Sequence, residues 1–430
     1  MADQVPEHHM LLCGGCDLLM ETVDPPPGHT LFCPRCGRRL HRWKSNSIEK
    51  TLAISLTGLL LYLPANFMPL LTFDVLGLHT SASLFDSTLS MFEQGQFFVG
   101  TMVVLCGFVF PLFLLTLYFS VSFGLHRGWK YRWMAEGLRY IHHIHEWAMP
   151  DVYLIGVFVT IVKMSHMAEI NFNTGLFCFI GLVLITIGCQ GAMDRRLFWR
   201  LLDHDAGKRV PVRDTNACTG AEAGLCLCHA CEKILPVTDC PDHCPRCGEH
   251  LHLRKTNAMA RTWALVLTAI ILTLPANLLP IMEVEYFGVP DRSTIMDGIL
   301  YFFREGSYGI GLIILTASVL VPLFKILGLL LILISIRLRR PGDRRHKAIM
   351  LRFIEFIGRW SMLDIFVIAL LCALVQFDFI STISAAPAVL YFTGVVICTM
   401  FAAISFDARL LWDTQTTSTG NRNRHAATGT

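Results

Sequence analysis

Leu63-Pro-Ala-Asn-Phe-Met-Pro-Leu-Leu71 closes one apolar run of the chain, and Leu274-Pro-Ala-Asn-Leu-Leu-Pro-Ile-Met282 closes another. Outward from this pair, at the same offset, Cys33-Pro-Arg-Cys-Gly37 has an unchanged copy in Cys244-Pro-Arg-Cys-Gly248. Asp86, Gly95 and Pro111 have copies in Asp297, Gly306 and Pro322. After a small slip, Trp147-x-Met149-x-Asp151 returns as Trp360-x-Met362-x-Asp364, and Asp194-Arg-Arg-Leu-Phe-Trp199 as Asp407-Ala-Arg-Leu-Leu-Trp412. Matches held in one register over so long a stretch mark a duplicated unit.

Composition places that unit in a membrane. Of 430 residues, 53% are hydrophobic and 16% charged, against about 25% charged in soluble domains, and the mean hydropathy is +0.51. A net charge of +3 gives no reason to expect nucleic acid as a partner. The N-terminus lacks the basic and apolar regions of a signal peptide. Runs long enough to cross about 30 Å of hydrocarbon lie near 50–72, 97–124, 148–169 and 174–192, and again near 261–283, 308–336, 361–382 and 385–405.

The expected fold is therefore an all-α polytopic membrane protein of two tandem four-helix units, each preceded by a small cysteine-rich domain. The expected boundaries are 1–47 for the first ribbon, 48–200 for the first module, 201–225 for a linker, 226–258 for the second ribbon and 259–413 for the second module. A polar, disordered tail is expected at 414–430. The stretch 73–96 has no Lys or Arg, whereas 125–147 and 337–359 are basic. The positive-inside rule then puts both basic loops, both cysteine clusters and both termini in the cytoplasm, where thiols stay reduced. The aromatic residues of the first basic loop, among them Trp129, Tyr131 and Trp133, read as an amphipathic segment at the headgroups.

Cys13-x-x-Cys16 with Cys33-x-x-Cys36, and Cys228-x-x-Cys231 with Cys244-x-x-Cys247, have the spacing of four-thiolate zinc ribbons. Such closed sites fold a small domain and leave no position for substrate. Cys226, Cys240 and several histidines crowd the second quartet, which leaves a substituted ligand there open.

Polar side chains within the apolar runs are the other candidates. Lys325 sits near the middle of the sixth, at an expected insertion cost of about 2.5–3.5 kcal/mol. Ser318 lies two turns before it and Thr399 lies in the eighth run. Lys163 and His166 are spaced to share a face of the third. The repeat places Leu114 opposite Lys325, so the halves differ chemically. The prolines of the duplicated nonapeptide are expected to break the outer helix ends and leave Asn66 and Asn277 at a periplasmic opening. No nucleophile–base pair, phosphate loop or HExxH motif is present, and no enzymatic activity is expected.

The paired Cys-x-x-Cys and Cys-Pro-Arg-Cys-Gly, the Leu-Pro-Ala-Asn-x-x-Pro and the Trp-x-Met-x-Asp, all duplicated, closely resemble the paraquat-inducible protein A family, and within it the lipophilic envelope-spanning tunnel protein A branch. The resemblance covers nearly the whole chain to about Trp412. It implies a multi-pass bacterial inner-membrane component that works with a periplasmic MCE-domain tunnel protein to move membrane lipids between inner and outer membranes. It also implies a polar network among the helices, which maps onto Lys163, His166, Ser318, Lys325 and Thr399. The leading expectation is a lipid transporter, with coupling to protons through the buried lysines. The alternatives are a passive anchor for the tunnel and a thiol redox enzyme.

Overall fold

The computed structural model describes residues 8–23, 29–75, 78–164, 169–203, 217–237, 242–286, 289–306, 308–338, 343–374 and 381–413. The chain is mostly helical, and among the described residues seven helices are long and apolar enough to cross a membrane. They are Ser47–Phe67, Phe97–His126, Thr174–Ala192, Ala258–Leu278, Gly311–Arg337, Arg344–Leu374 and Ala388–Ser405. Pro150–Met164 occupies the third expected position but is shorter, because the chain beyond it enters a strand at Glu169–Phe172. Arg344–Leu374 joins an amphipathic helix, Arg344–Gly358, to the apolar Leu363–Leu374. In chain order Pro150–Met164 is the third and Leu363–Leu374 the seventh apolar helix.

The invariant positions of the repeat resolve into local physics. Ser83 accepts from the Asp86 backbone N–H at 3.1 Å while the Asp86 carboxylate accepts from Ser83 N–H at 2.9 Å, a reciprocal cap that starts Leu84–Glu93. Thr294 and Asp297 repeat it for Ile295–Arg304. Gly95 and Gly306 end those helices in the left-handed region, at φ 73° and 76°. Pro111 and Pro322 follow wide π turns at Leu105–Val109 and Leu315–Leu320, since neither can donate to the carbonyl four residues back. Asp194 caps Arg195–Leu202 through the N–H groups of Arg196 and Leu197.

The duplicated nonapeptide differs from expectation. Both helices run through their first proline, Pro64 and Pro275, to Phe67 and Leu278. The second proline ends them: Met68 and Leu279, each just before it, are extended, at ψ 146° and 154°. Beyond each helix end lies a sheet that periodicity does not show. Leu71–Val75 pairs antiparallel with Leu78–Ala82 and with Glu169–Phe172. Met282–Tyr286 does the same with Val289–Ser293 and Ser381–Ala385. Each sheet ties the end of its first helix to the start of its fourth.

Within each half the first helix packs most closely on the fourth. The halves meet where the third and seventh helices cross, with Phe366, Val367 and Leu363 against Gly156 and the Tyr153 and Phe366 rings 4.8 Å apart. Every residue of Leu363–Leu374 except the first-turn Asp364 is buried, as an apolar helix surrounded by protein should be. At the sheet end of the molecule, Gln94 and Gln96 of the first half hydrogen-bond the strand Ser381–Ala385 of the second. On the outside, Leu60, Phe67, Phe177, Leu184, Ile271, Leu274, Leu278, Leu327 and Leu331 are all more than half exposed, an apolar girdle suited to lipid and unsuited to water.

Candidate functional site

At the end opposite the sheets stand two cysteine clusters. In each, the four sulfurs lie within 4.8 Å of one another. The Cys13–Cys36 and Cys16–Cys33 separations are 3.6 and 3.5 Å, and Cys228–Cys247 and Cys231–Cys244 are 3.5 and 3.6 Å apart. A tetrahedron with bonds of about 2.3 Å to a central ion has edges of about 3.8 Å, so the free thiols fit a metal. The hairpins His8–Leu12/Leu19–Val23 and Thr30–Phe32/Arg39–Arg42 carry the first set. Each knuckle closes with a left-handed glycine, Gly37 at φ 69° and Gly248 at 72°, a conformation that glycine alone adopts freely. Hydrogen bonding within the first set pulls the Cys36 thiol down, from Cys13 above all, and pushes Cys16 up. Cys226 is buried on the strand Leu225–Leu227 and is not in the second quartet; Cys240 lies outside the described residues.

Among the fifth, sixth and eighth helices a cavity of about 110 Å³ is lined by Thr273, Asn277, Ser318, Pro322, Leu323 and Phe392. Its origin is visible by comparing the halves. Tyr62 occupies the repeat position of Thr273, and Gly107 that of Ser318. The Tyr62 side chain is buried and its hydroxyl donates to the Phe108 carbonyl at 3.0 Å, inside the wide turn of the first half. The smaller Thr273 turns inward to its own helix, donating to Ala269 at 2.7 Å, and leaves room.

One turn beyond Pro322 is Lys325, fully buried. Its Nζ donates to Ser361 Oγ at 3.2 Å. A lysine kept out of water requires such an acceptor. The sequence carried a signal for Ser361 that the sequence reading missed: it is a variable position of Trp-x-Met-x-Asp, alanine (Ala148) in the half where Leu114 replaces the lysine. The copy with the lysine has the serine, and the copy with the leucine has the alanine.

The other candidates separate. Ser318 lines the cavity. Thr399 is buried and donates to Val396 of its own helix at 2.9 Å, the ordinary fate of a helical hydroxyl. Among the described residues, the hydrogen bond of Lys325 goes to neither. Lys163 belongs to Pro150–Met164, and His166 lies outside the described residues. The two asparagines are unlike: Asn66 is buried, donating to Tyr62 at 2.7 Å with its side-chain oxygen unbonded, whereas Asn277 is exposed at the cavity and donates to Thr273 at 2.9 Å.

Comparison with known proteins agrees with this architecture. The family model described as Paraquat-inducible protein A matches twice, over residues 48–203 and 259–416. The chain is 32% identical to Lipophilic envelope-spanning tunnel protein A of Escherichia coli (strain K12), over 96% of this chain and 93% of that one. It is 31% identical to Intermembrane transport protein PqiA of the same strain, over 95% and 98%. A Probable intermembrane transport protein of Haemophilus influenzae is 29% identical over 95% and 96%. No solved structure matches the chain.

Proposed function

The chain belongs to the paraquat-inducible protein A family, and from that premise we propose that it is an inner-membrane lipid transporter serving a periplasmic MCE-domain tunnel protein. It moves lipids between inner and outer membranes and so maintains the envelope. The observation that carries the proposal is the asymmetric second half: a membrane-depth cavity beside a buried Lys325–Ser361 pair, where the first half has a tyrosine plug and apolar residues. The relatives named as intermembrane transport proteins support transport. A passive anchor has no use for a buried amine whose insertion is costly.

In this reading the protein is not an enzyme, and it spans the membrane eight times, four helices per half. The ribbons, bound to Zn²⁺, lie in the cytoplasm and the sheets in the periplasm beside the tunnel. The cavity takes an acyl chain or the neck of a headgroup, with Asn277 and Ser318 as its polar contacts. Proton transfer at Lys325, with Lys163 in the other half, supplies the drive. The test is reconstitution with labelled phospholipid, with and without the tunnel protein and a pH gradient. Transfer should require Lys325 and fall in Lys325→Ala and Lys163→Ala at equal protein levels. Normal transfer in both variants would defeat the lysine assignment, and no transfer under any condition would favour a scaffold.

A further inference from the structure

Each ribbon precedes one membrane half in sequence, yet its knuckle rests on the other. In the first ribbon the Cys36 carbonyl accepts from Arg352 Nη2 at 2.7 Å, and a Cβ on Gly37 would lie 3.8 Å from the Arg345 guanidinium. Both arginines belong to the amphipathic helix Arg344–Gly358 of the second half. In the second ribbon the Cys247 carbonyl accepts from Arg139 Nη1 at 3.3 Å, and a Cβ on Gly248 would lie 3.3 Å from the same nitrogen. Arg139 belongs to Arg132–Ile144 of the first half. Arg139 and Arg352 are repeat equivalents.

The knuckle arginines cross in the same way. Arg35 lies over the Trp412 ring at 4.5 Å, and Arg246 over Trp199 at 5.9 Å, each tryptophan coming from the closing helix of the opposite half; both distances are within cation–π range. Arg246 also pairs with Asp203 at 2.7 Å. Trp412 packs onto the four-cysteine core of the first ribbon itself. Arg254 then joins Asp17 of the first ribbon to Asp413 at the end of the second half.

We propose that the two ribbons are a metal-dependent cross-brace that fixes the relative position of the membrane halves at this end of the molecule. The chain's own residues explain the dependence on metal. The core of the first ribbon consists of its four cysteines with Leu18, Met20, Leu40 and Trp412, too little apolar material to hold its shape alone. The ligated sulfurs therefore set where the Cys36 and Cys247 carbonyls point. Lose the ligation, and Arg139, Arg352, Trp199 and Trp412 lose their acceptors and stacking partners together. By linkage, the brace must in turn strengthen metal binding. The brace rests on these contacts alone and does not depend on what the protein transports.

The test measures distance in the full-length protein in lipid nanodiscs, with non-thiol spin labels on genetically encoded keto residues at His126 and Arg337. These are equivalent exposed sites at the ribbon ends of the second and sixth helices. Zinc-loaded protein should give one narrow distance. Chelation, and separately the double variant Arg139→Ala/Arg352→Ala, should replace it with a broad, longer distribution. Metal content distinguishes a released brace from an unfolded ribbon. A double variant that keeps both metals and broadens supports the proposal, and one that loses metal supports the reciprocal linkage. An unchanged narrow distance after confirmed metal removal, or in a metal-replete double variant, overturns it.

Discussion

Ser361→Ala removes a single oxygen, the one that satisfies Lys325. The lysine is fully buried and its Nζ reaches Ser361 Oγ at 3.2 Å. A buried donor stripped of its acceptor forfeits about 1–3 kcal/mol, and the alanine itself adds almost no cavity, so the cost falls near that range. The same change in a Lys325→Met background removes an oxygen that no longer has a donor to satisfy, and the lysine-to-methionine replacement fills similar volume, so it should be near neutral. The coupling across the double-mutant cycle is therefore about 1–3 kcal/mol, read as unequal shifts of the thermal midpoint in detergent. If Ser361→Ala costs as much in the Lys325→Met background as it does with the lysine in place, the pair is not what stabilises this site and the reasoning fails.

Tyr62→Thr should open in the first half a cavity like that of the second; with about 110 Å³ there and about 24 cal/mol per Å³, the loss is about 2–3 kcal/mol, measurable as a lowered unfolding midpoint. Cys244→Ser should lower the metal content by one ion per chain while the first ribbon keeps its own, as elemental analysis would show. Burial and the nearby Arg195 hold His145 down to about 4, below about 6.5 in the unfolded chain. The unfolded state therefore takes the proton first as pH falls, and stability is level above about 6.5 and declines toward 4. The midpoint of wild type should drop between pH 7 and 5, and His145→Gln should drop less at matched metal content; equal drops would exclude this histidine as a cause.

The duplication, the ribbons and the membrane class were legible because each rests on strong local contrast: paired cysteines, long apolar runs and basic loops. Asp86 and Gly95 could be matched to Asp297 and Gly306 before their purpose was visible, since a capping box and a left-handed helix end are set by neighbours in sequence. The three-stranded sheets were not legible, because Leu71–Val75 meets Glu169–Phe172 only after the second and third apolar helices have folded back. The same limit hid the exchange of ribbons between halves, which depends on contacts as distant as Cys36 with Arg352. Ser361 and the Tyr62 plug lie between these cases. Comparing the two copies exposes both, but only when read as pairs, lysine with serine and tyrosine with glycine.

The central claim is that lipid enters the second half and that the first is plugged. Phe392 and Phe179 are repeat equivalents, both buried, and Phe392 lines the cavity. A photoreactive residue at each position, activated in cells with phosphate-labelled lipid, tests the claim directly. Lipid entry through the second half predicts an adduct at 392 that Thr273→Tyr suppresses, and none at 179; labelling at 392 no stronger than at 179 would contradict it.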